Sequence, residues 1–175
     1  AEGRVYECNN GGLVWVNEGG NRRPNGTPDT WTTGSIEAVE IKTGKVERLY
    51  ESCNGHKLRG PNDIVFDTEG GFYFTDVGKR FDRHADRGFV YYAKADGSMI
   101  KEVVTAATTP NGLGLSPDGK TLYVAETDTA RLWAWEVTGP GELKKLPWPS
   151  PYGGRCVAGL GGYTRFDSLA VLASG

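Results

Sequence analysis

Asn62-Asp63-Ile64-Val65-Phe66-Asp67-Thr68-Glu69-Gly70 and Asn111-Gly112-Leu113-Gly114-Leu115-Ser116-Pro117-Asp118-Gly119 are two copies of one pattern. Each begins with an asparagine, alternates apolar residues, and reaches a glycine eight positions on. Asp167-Ser168-Leu169-Ala170-Val171-Leu172-Ala173-Ser174-Gly175 repeats it with an aspartate at the head. The stretches just beyond these glycines also match, with Phe72-Tyr73-Phe74-Thr75-Asp76 after the first and Leu122-Tyr123-Val124-Ala125-Glu126 after the second. At the chain start, Glu2-Gly3 and then Val5-Tyr6 fit the same frame. Alternation at period two, closed by Asp-Gly or Glu-Gly, is the signature of short strands joined by tight turns.

The period sets the architecture. Asn62 and Asn111 are 49 residues apart, and Asn111 and Asp167 are 56 apart. Further strands are expected within each unit, at 88–92 and 100–104 in the second and at 131–137 and 143–146 in the third. Four strands per repeat of about fifty residues is the spacing of a β-propeller blade. A sandwich would show short strands without that period. No segment has helical periodicity. The expectation is an all-β, single propeller domain over residues 1–175 with about three four-stranded blades. Propellers close with about four to eight, so the ring is expected to be partial, with open sheet edges that favour self-association. The polar stretch from Asn17 to Gly26 and the stretch from Pro147 to Gly154 read as long loops, the second as a lid carrying Trp148 and Tyr152.

Composition agrees with this and excludes other classes. Glycine is 26 of 175 residues and methionine is 1, while 38% of the chain is hydrophobic and 11% aromatic. Such a chain has enough apolar surface to fold. Lys and Arg total 20 against 22 Asp and Glu, a formal charge of −2. That balance lacks the dense basic face of a nucleic-acid binder. Apolar runs are too short to span a bilayer as helices, so neither nucleic acid nor membrane is an expected partner. No stretch has the basic start and apolar core of a secretion signal; the compartment is left open, with the cytoplasm favoured. Cys8, Cys53 and Cys156 are too far apart for a disulfide framework or a zinc pattern and read as reduced packing residues.

The same frame locates the chemistry. Asn62, Asn111 and Asp167 head the first strand of successive blades, and the innermost strands of a propeller line its channel. Two amides and a carboxylate converging there would offer hard oxygen ligands suited to Ca²⁺, Mg²⁺ or Mn²⁺. His56 and His84 lie in polar stretches with no nucleophile elbow or Ser-His-Asp order beside them. Asp76 and Glu126, at the ends of second strands, read as solvated turn residues, with a place at the channel mouth as the alternative.

Leu58-Arg59-Gly60-Pro61-Asn62-Asp63, Gly71-Phe72-Tyr73-Phe74-Thr75-Asp76, Pro110-Asn111-Gly112-Leu113, Ser116-Pro117-Asp118-Gly119 and Phe166-Asp167-Ser168-Leu169-Ala170-Val171 together resemble the SMP-30/gluconolactonase/luciferin-regenerating family. Cys8-Asn9-Asn10-Gly11-Gly12 fits the same resemblance. It implies a six-bladed propeller holding one divalent cation, usually Ca²⁺, with Mg²⁺, Mn²⁺ or Zn²⁺ as substitutes. It also implies hydrolysis of a small-molecule lactone by metal-activated water. Carried over by position, Asn111 and Asp167 match metal ligands, and Asp167 also the proton acceptor. Asn62 matches a channel asparagine that touches substrate and, in some relatives, the metal. Arg59, offset by one residue, corresponds to an arginine that holds substrate hydroxyls. The family's remaining ligand is a glutamate on another blade, and Glu2, at a turn, is not its counterpart. A non-catalytic propeller serving as a binding platform and an organophosphate-hydrolysing relative are the alternatives.

Overall fold

The structure, a computed structural model, describes residues 3–173, so Glu2 at the start of the repeat frame and Gly175 at its end lie outside the described residues. Among those residues every regular element is a β-strand. The first unit comprises β1 (Arg4–Asn9), β2 (Trp15–Glu18), β3 (Asn21–Pro24), β4 (Ser35–Glu40) and β5 (Val46–Tyr50). A short pair, β6 (Ser52–Cys53) and β7 (His56–Lys57), leads to β8 (Pro61–Phe66), β9 (Gly71–Asp76), β10 (Gly88–Lys94) and β11 (Ile100–Ala107). The third unit holds β12 (Pro110–Leu115), β13 (Thr121–Glu126), β14 (Arg131–Gly139), β15 (Glu142–Leu143) and β16 (Arg155–Gly159).

The sheets are antiparallel meanders in chain order: β1-β4-β5, then β8-β9-β10-β11, then β12-β13-β14-β15 with β16 also on β14. These are propeller blades. Aligning β1 with β9 and β13 places Asn9, Asp76 and Glu126 at one register position, opposite Ser35, Phe89 and Arg131. The blades stack face to face, and the middle blade shows why its strands are apolar at every position. Phe72, Phe74, Tyr91 and Ala93 face Ile36, Tyr50, Cys53 and Leu58 of the first unit. Tyr73, Val90 and Tyr92 face Leu113, Leu122, Val124, Trp133 and Trp135 of the third. With side chains alternating across a strand, both faces of the middle sheet are buried. Cross-strand pairs reinforce this: Phe74 stacks on Tyr91 at 5.0 Å, and Tyr73 meets Tyr92 at 4.9 Å on the other face.

The two ends of the sheets differ. At one end the turns are tight: Asp67 Oδ1 accepts from the amides of Glu69 and Gly71, and Asp118 Oδ1 from that of Lys120. Such Asx turns close hairpins with few residues. At the other end, where Asn62 and Asn111 begin β8 and β12, the connections 10–34 and 77–87 are long. Side chains tie these loops across blades. Lys79 Nζ donates to the carbonyl of Gly12 at 2.8 Å, Thr27 Oγ1 to that of Arg80 at 2.9 Å, and Arg80 pairs with Asp128 at 2.5 Å.

Several expectations are corrected. The first sheet has three strands, not four. The stretch from Asn17 to Gly26 is no open loop: β2 and β3 pair from Trp15↔Pro24 to Glu18↔Asn21, turning on Gly19 and Gly20, both with positive φ. In place of a single strand at 143–146, the outer strand of the third blade is split. β15 and β16 pair with opposite ends of β14, and the chain departs between them over 144–154. Within that excursion Trp148 is 90% exposed. Tyr152 packs on Trp133 at 5.2 Å and shares a 3.2 Å hydrogen bond with Thr108, so it belongs to the blade rather than to a lid. Residues 167–171 form no regular strand, yet they dock on β12, where the Gly112 amide donates to the Asp167 carbonyl at 3.0 Å. All three cysteines are free; Cys53 is buried and Cys8 half-buried, but Cys156 is exposed, its thiol donating to the Ala158 carbonyl at 3.4 Å.

Candidate active site

β8 and β12 do not run smoothly into their neighbours. Pro61 pairs with Asp76 and Ile64 with Phe74, so Asn62 and Asp63 stand opposite the single residue Thr75. Pro110 pairs with Glu126 and Leu113 with Val124, so Asn111 and Gly112 stand opposite the single residue Ala125. The same β-bulge therefore recurs in both blades at the asparagine. A bulge bends its strand and re-aims a side chain that regular alternation would send elsewhere.

The two asparagines meet. Asn62 Nδ2 donates to Asn111 Oδ1, and Asn111 Nδ2 donates to Thr127 Oγ1 at 3.0 Å. Neighbouring bonds lock this pair from behind. Thr75 Oγ1 donates to the Asn111 carbonyl at 2.6 Å and accepts from the Asp63 amide at 3.2 Å. Asp63 Oδ2 accepts from the Leu113 amide at 3.0 Å. Asp167 sits on the far side of β12, its carbonyl on the Gly112 amide and its side chain exposed. Gly112 must be glycine here, since a Cβ would come 2.4 Å from the Asp167 carbonyl oxygen and 2.7 Å from Ser168 Cα.

Thus Asn62 and Asn111 are brought together, and Asp167 is anchored one residue from Asn111. Arg59 is engaged elsewhere. Its guanidinium pairs with Asp86 at 2.8 Å and lies 4.5 Å over the ring of Trp31, whose Nε1 donates to the Asn10 carbonyl. Lys79 is buried beside it, and burial lowers the pKa of its ammonium.

Asp76 and Glu126 are not solvated turn residues; each is 1% exposed. Asp76 accepts from the amides of Gly60 and Gly78 on Oδ1 and of Arg59 on Oδ2, at 2.7, 2.9 and 2.7 Å. Burial pushes its carboxyl above the usual range; the three amides pull against that shift, and Asp86 adds to it. Glu126 accepts from the Thr108 amide at 2.7 Å, from Trp133 Nε1 at 3.1 Å and from the Thr129 hydroxyl. Cys8 lies near this cluster; burial, then Asp63, Asp76 and Glu7, push its thiol up to about 12, which keeps it protonated and unreactive. The signal in the sequence that identifies both acids is their recurrence at the end of the second strand in the middle and third blades.

Chemically, the asparagine pair offers carboxamide oxygens, and the adjoining segment carries the exposed carboxylate of Asp167. Asn111 Oδ1 accepts one hydrogen bond and retains a second lone pair. Oxygen donors of this kind fit a hard divalent cation.

Known proteins share this sequence and architecture. The sequence profile described as the SMP-30/Gluconolactonase/LRE-like region matches residues 1–148. The chain is 38% identical over 104 residues to lactonase drp35 of Staphylococcus epidermidis, covering 59% of this chain and 31% of that protein. Against lactonase drp35 of Staphylococcus haemolyticus the figures are 36% over 113 residues, covering 65% and 34%. The chain thus spans about a third of the length of the curated relatives it matches. Among solved structures, a gluconolactonase from Xanthomonas campestris superposes with a TM-score of 0.52 at 28% identity, over 62% of this chain and 39% of that one. A luciferin-regenerating enzyme shares the fold at a TM-score of 0.51 and 16% identity, over 83% and 45%.

Proposed function

The chain belongs to the SMP-30/Gluconolactonase/LRE-like family, and from that premise we propose that it forms the part of a lactone-hydrolysing site centred on Asn62, Asn111 and Asp167. The observation that carries the reading is the asparagine pair, aimed together by the same bulge in two blades, with Asp167 docked beside it. The names of the relatives, lactonase and gluconolactonase, supply the substrate class. Asn111 and Asp167, with Asn62, are the residues proposed to hold a divalent cation, Ca²⁺ foremost. When bound, such a cation supplies Lewis acidity toward a carbonyl oxygen and lowers the pKa of water.

The residues themselves carry the rest. Asp167 is the exposed carboxylate of the set and is proposed to take the proton from the attacking water. Asn62 presents an amide that orients the lactone, and its bond to Asn111 fixes the direction it faces. Arg59 is proposed to bind substrate hydroxyls from the rim, through donors not committed to Asp86.

The test is pH-stat hydrolysis of aldonolactones with Ca²⁺ titrated. It is run on the chain and on the chain grafted in place of the matching third of the Staphylococcus epidermidis lactonase. Ring opening is expected in the graft, and Asp167→Asn should lower its turnover by about 10²-fold or more even at saturating Ca²⁺. Full turnover of Asp167→Asn at high Ca²⁺ would reduce its role to ligation. A folded graft that opens no lactone points to a binding platform instead.

A further inference from the structure

Two buried acids occupy one repeat position, and both reach to the chain just ahead of a site asparagine. Asp76 ends β9 opposite Pro61, and Glu126 ends β13 opposite Pro110. Proline has no N–H, so that rung lacks its usual ladder donor. In each blade the carboxylate instead takes the amide three residues before the asparagine: Arg59 for Asn62, and Thr108 for Asn111. Asp76 adds the Gly60 amide and, from its own succeeding loop, that of Gly78. The remaining oxygen of Glu126 is occupied by Trp133 Nε1 and the Thr129 hydroxyl.

Burying a carboxylate is costly unless its oxygens are well supplied with donors. Here the supply comes from backbone amides that must hold a particular path. Each bulge is pinned on both sides, upstream by the acid and downstream by the regular pairing of Ile64 with Phe74 or Leu113 with Val124. The two residues between the pins have one route left, and the asparagine is on it.

We propose that Asp76 and Glu126 are positioning residues for the candidate active site: each clasps the segment leading into β8 or β12 and so sets the bulge that aims Asn62 and Asn111 at one another. The inference rests on the reading of those asparagines as site residues. Asp76 and Glu126 act through the backbone, so they are not catalytic.

The side-chain amides of the two asparagines report the outcome directly. They are monitored by ¹⁵N NMR in the 175-residue chain and in Asp76→Asn, Glu126→Gln and the control Asp118→Asn, whose carboxylate caps a turn at the opposite end. In the first two variants the Asn111 side-chain protons should exchange about tenfold faster or more, and the Asn62 and Asn111 side-chain signals should both move as their mutual bond is lost. The indole signals of Trp133 and Trp135 serve as the record of an intact fold. Asp118→Asn should leave the asparagine signals in place. Should either neutral variant fail to fold, Asp76→Glu and Glu126→Asp keep the charge and move the acceptors by one methylene, and the same displacement is expected. Unchanged asparagine signals in folded variants of either kind overturn the clasp. This measurement decides the clasp even in a chain that opens no lactone, so its failure is separate from failure of the proposed activity.

Discussion

Asp76 holds a carboxyl where almost no water reaches it, and the sign of the resulting pH dependence is unusual for an acid. Burial raises its pKa above the ordinary carboxylate value, despite the amides of Arg59, Gly78 and Gly60. The folded chain therefore takes up this proton at a higher pH than the unfolded chain does. Stability gained from Asp76 is fully present below the ordinary carboxylate pKa and is lost as pH rises through the raised one. The titratable groups facing it are Asp86 and Lys79, with the Cys8 thiol and the Tyr91 hydroxyl close by. Urea midpoints of the wild-type chain and Asp76→Asn, compared between pH 4 and 8, should show the wild type losing ground to the variant as pH rises. A difference independent of pH would mean that the amides fully offset burial. In the amino-acid order this residue is legible as an acid at a strand end but not as buried, because Thr-Asp before a loop also describes a solvated turn. Its burial comes from residues 58–60 folding over it, and nothing in its own neighbourhood announces them.

At the scale of elements, β12 receives residues 167–171 only because Gly112 leaves room. Alanine there would place a Cβ against backbone atoms of Asp167, Ser168 and Leu169, which cannot rotate away. Gly112→Ala should cost about 1–3 kcal/mol, as overpacking does. It should also speed hydrogen exchange of the residue 112 amide, which donates to the Asp167 carbonyl, while β9 and β10 stay protected. Equal protection of that amide in both proteins would contradict that docking. The meanders themselves are legible in the sequence, since Phe72-Tyr73-Phe74 and Leu122-Tyr123-Val124 carry apolar side chains to both faces between marked turns. The bulges are not: Ile64 and Phe66 keep strict alternation, and the extra residue shows only when β9 is laid beside β8. The β2–β3 hairpin is hidden because Asn17-Glu18-Gly19-Gly20-Asn21-Arg22-Arg23 is polar throughout, as expected of a ribbon with little to bury. The head of β16 is hidden because Pro147 to Gly154 separates it from β15.

For the whole molecule, the three stacked sheets share two cores, one on each face of the middle blade. Among the described residues β1 pairs with β4 alone, leaving its other edge open with Val5 54% exposed. Such an edge templates pairing with another chain. Sedimentation of the 175-residue chain should therefore depend on concentration, and Val5→Lys should weaken the association. A monomer at all concentrations would contradict it. The sheet order has a consequence in time. In the middle blade neighbouring strands are consecutive in the chain, with 11 residues in the 77–87 connection between β9 and β10, whereas Asn62 meets Asn111 across 49 positions. Short loops close at lower entropic cost than long ones, so each blade should form before it docks on the next. Pulse-labelled hydrogen exchange during refolding should protect β9 and β10 ahead of the Leu113 amide, which bonds across blades to Asp63. The asparagine pair is then expected among the last contacts made, so a partly folded chain should lack the proposed site. A reaction that needs the pair would begin only once assembly is finished.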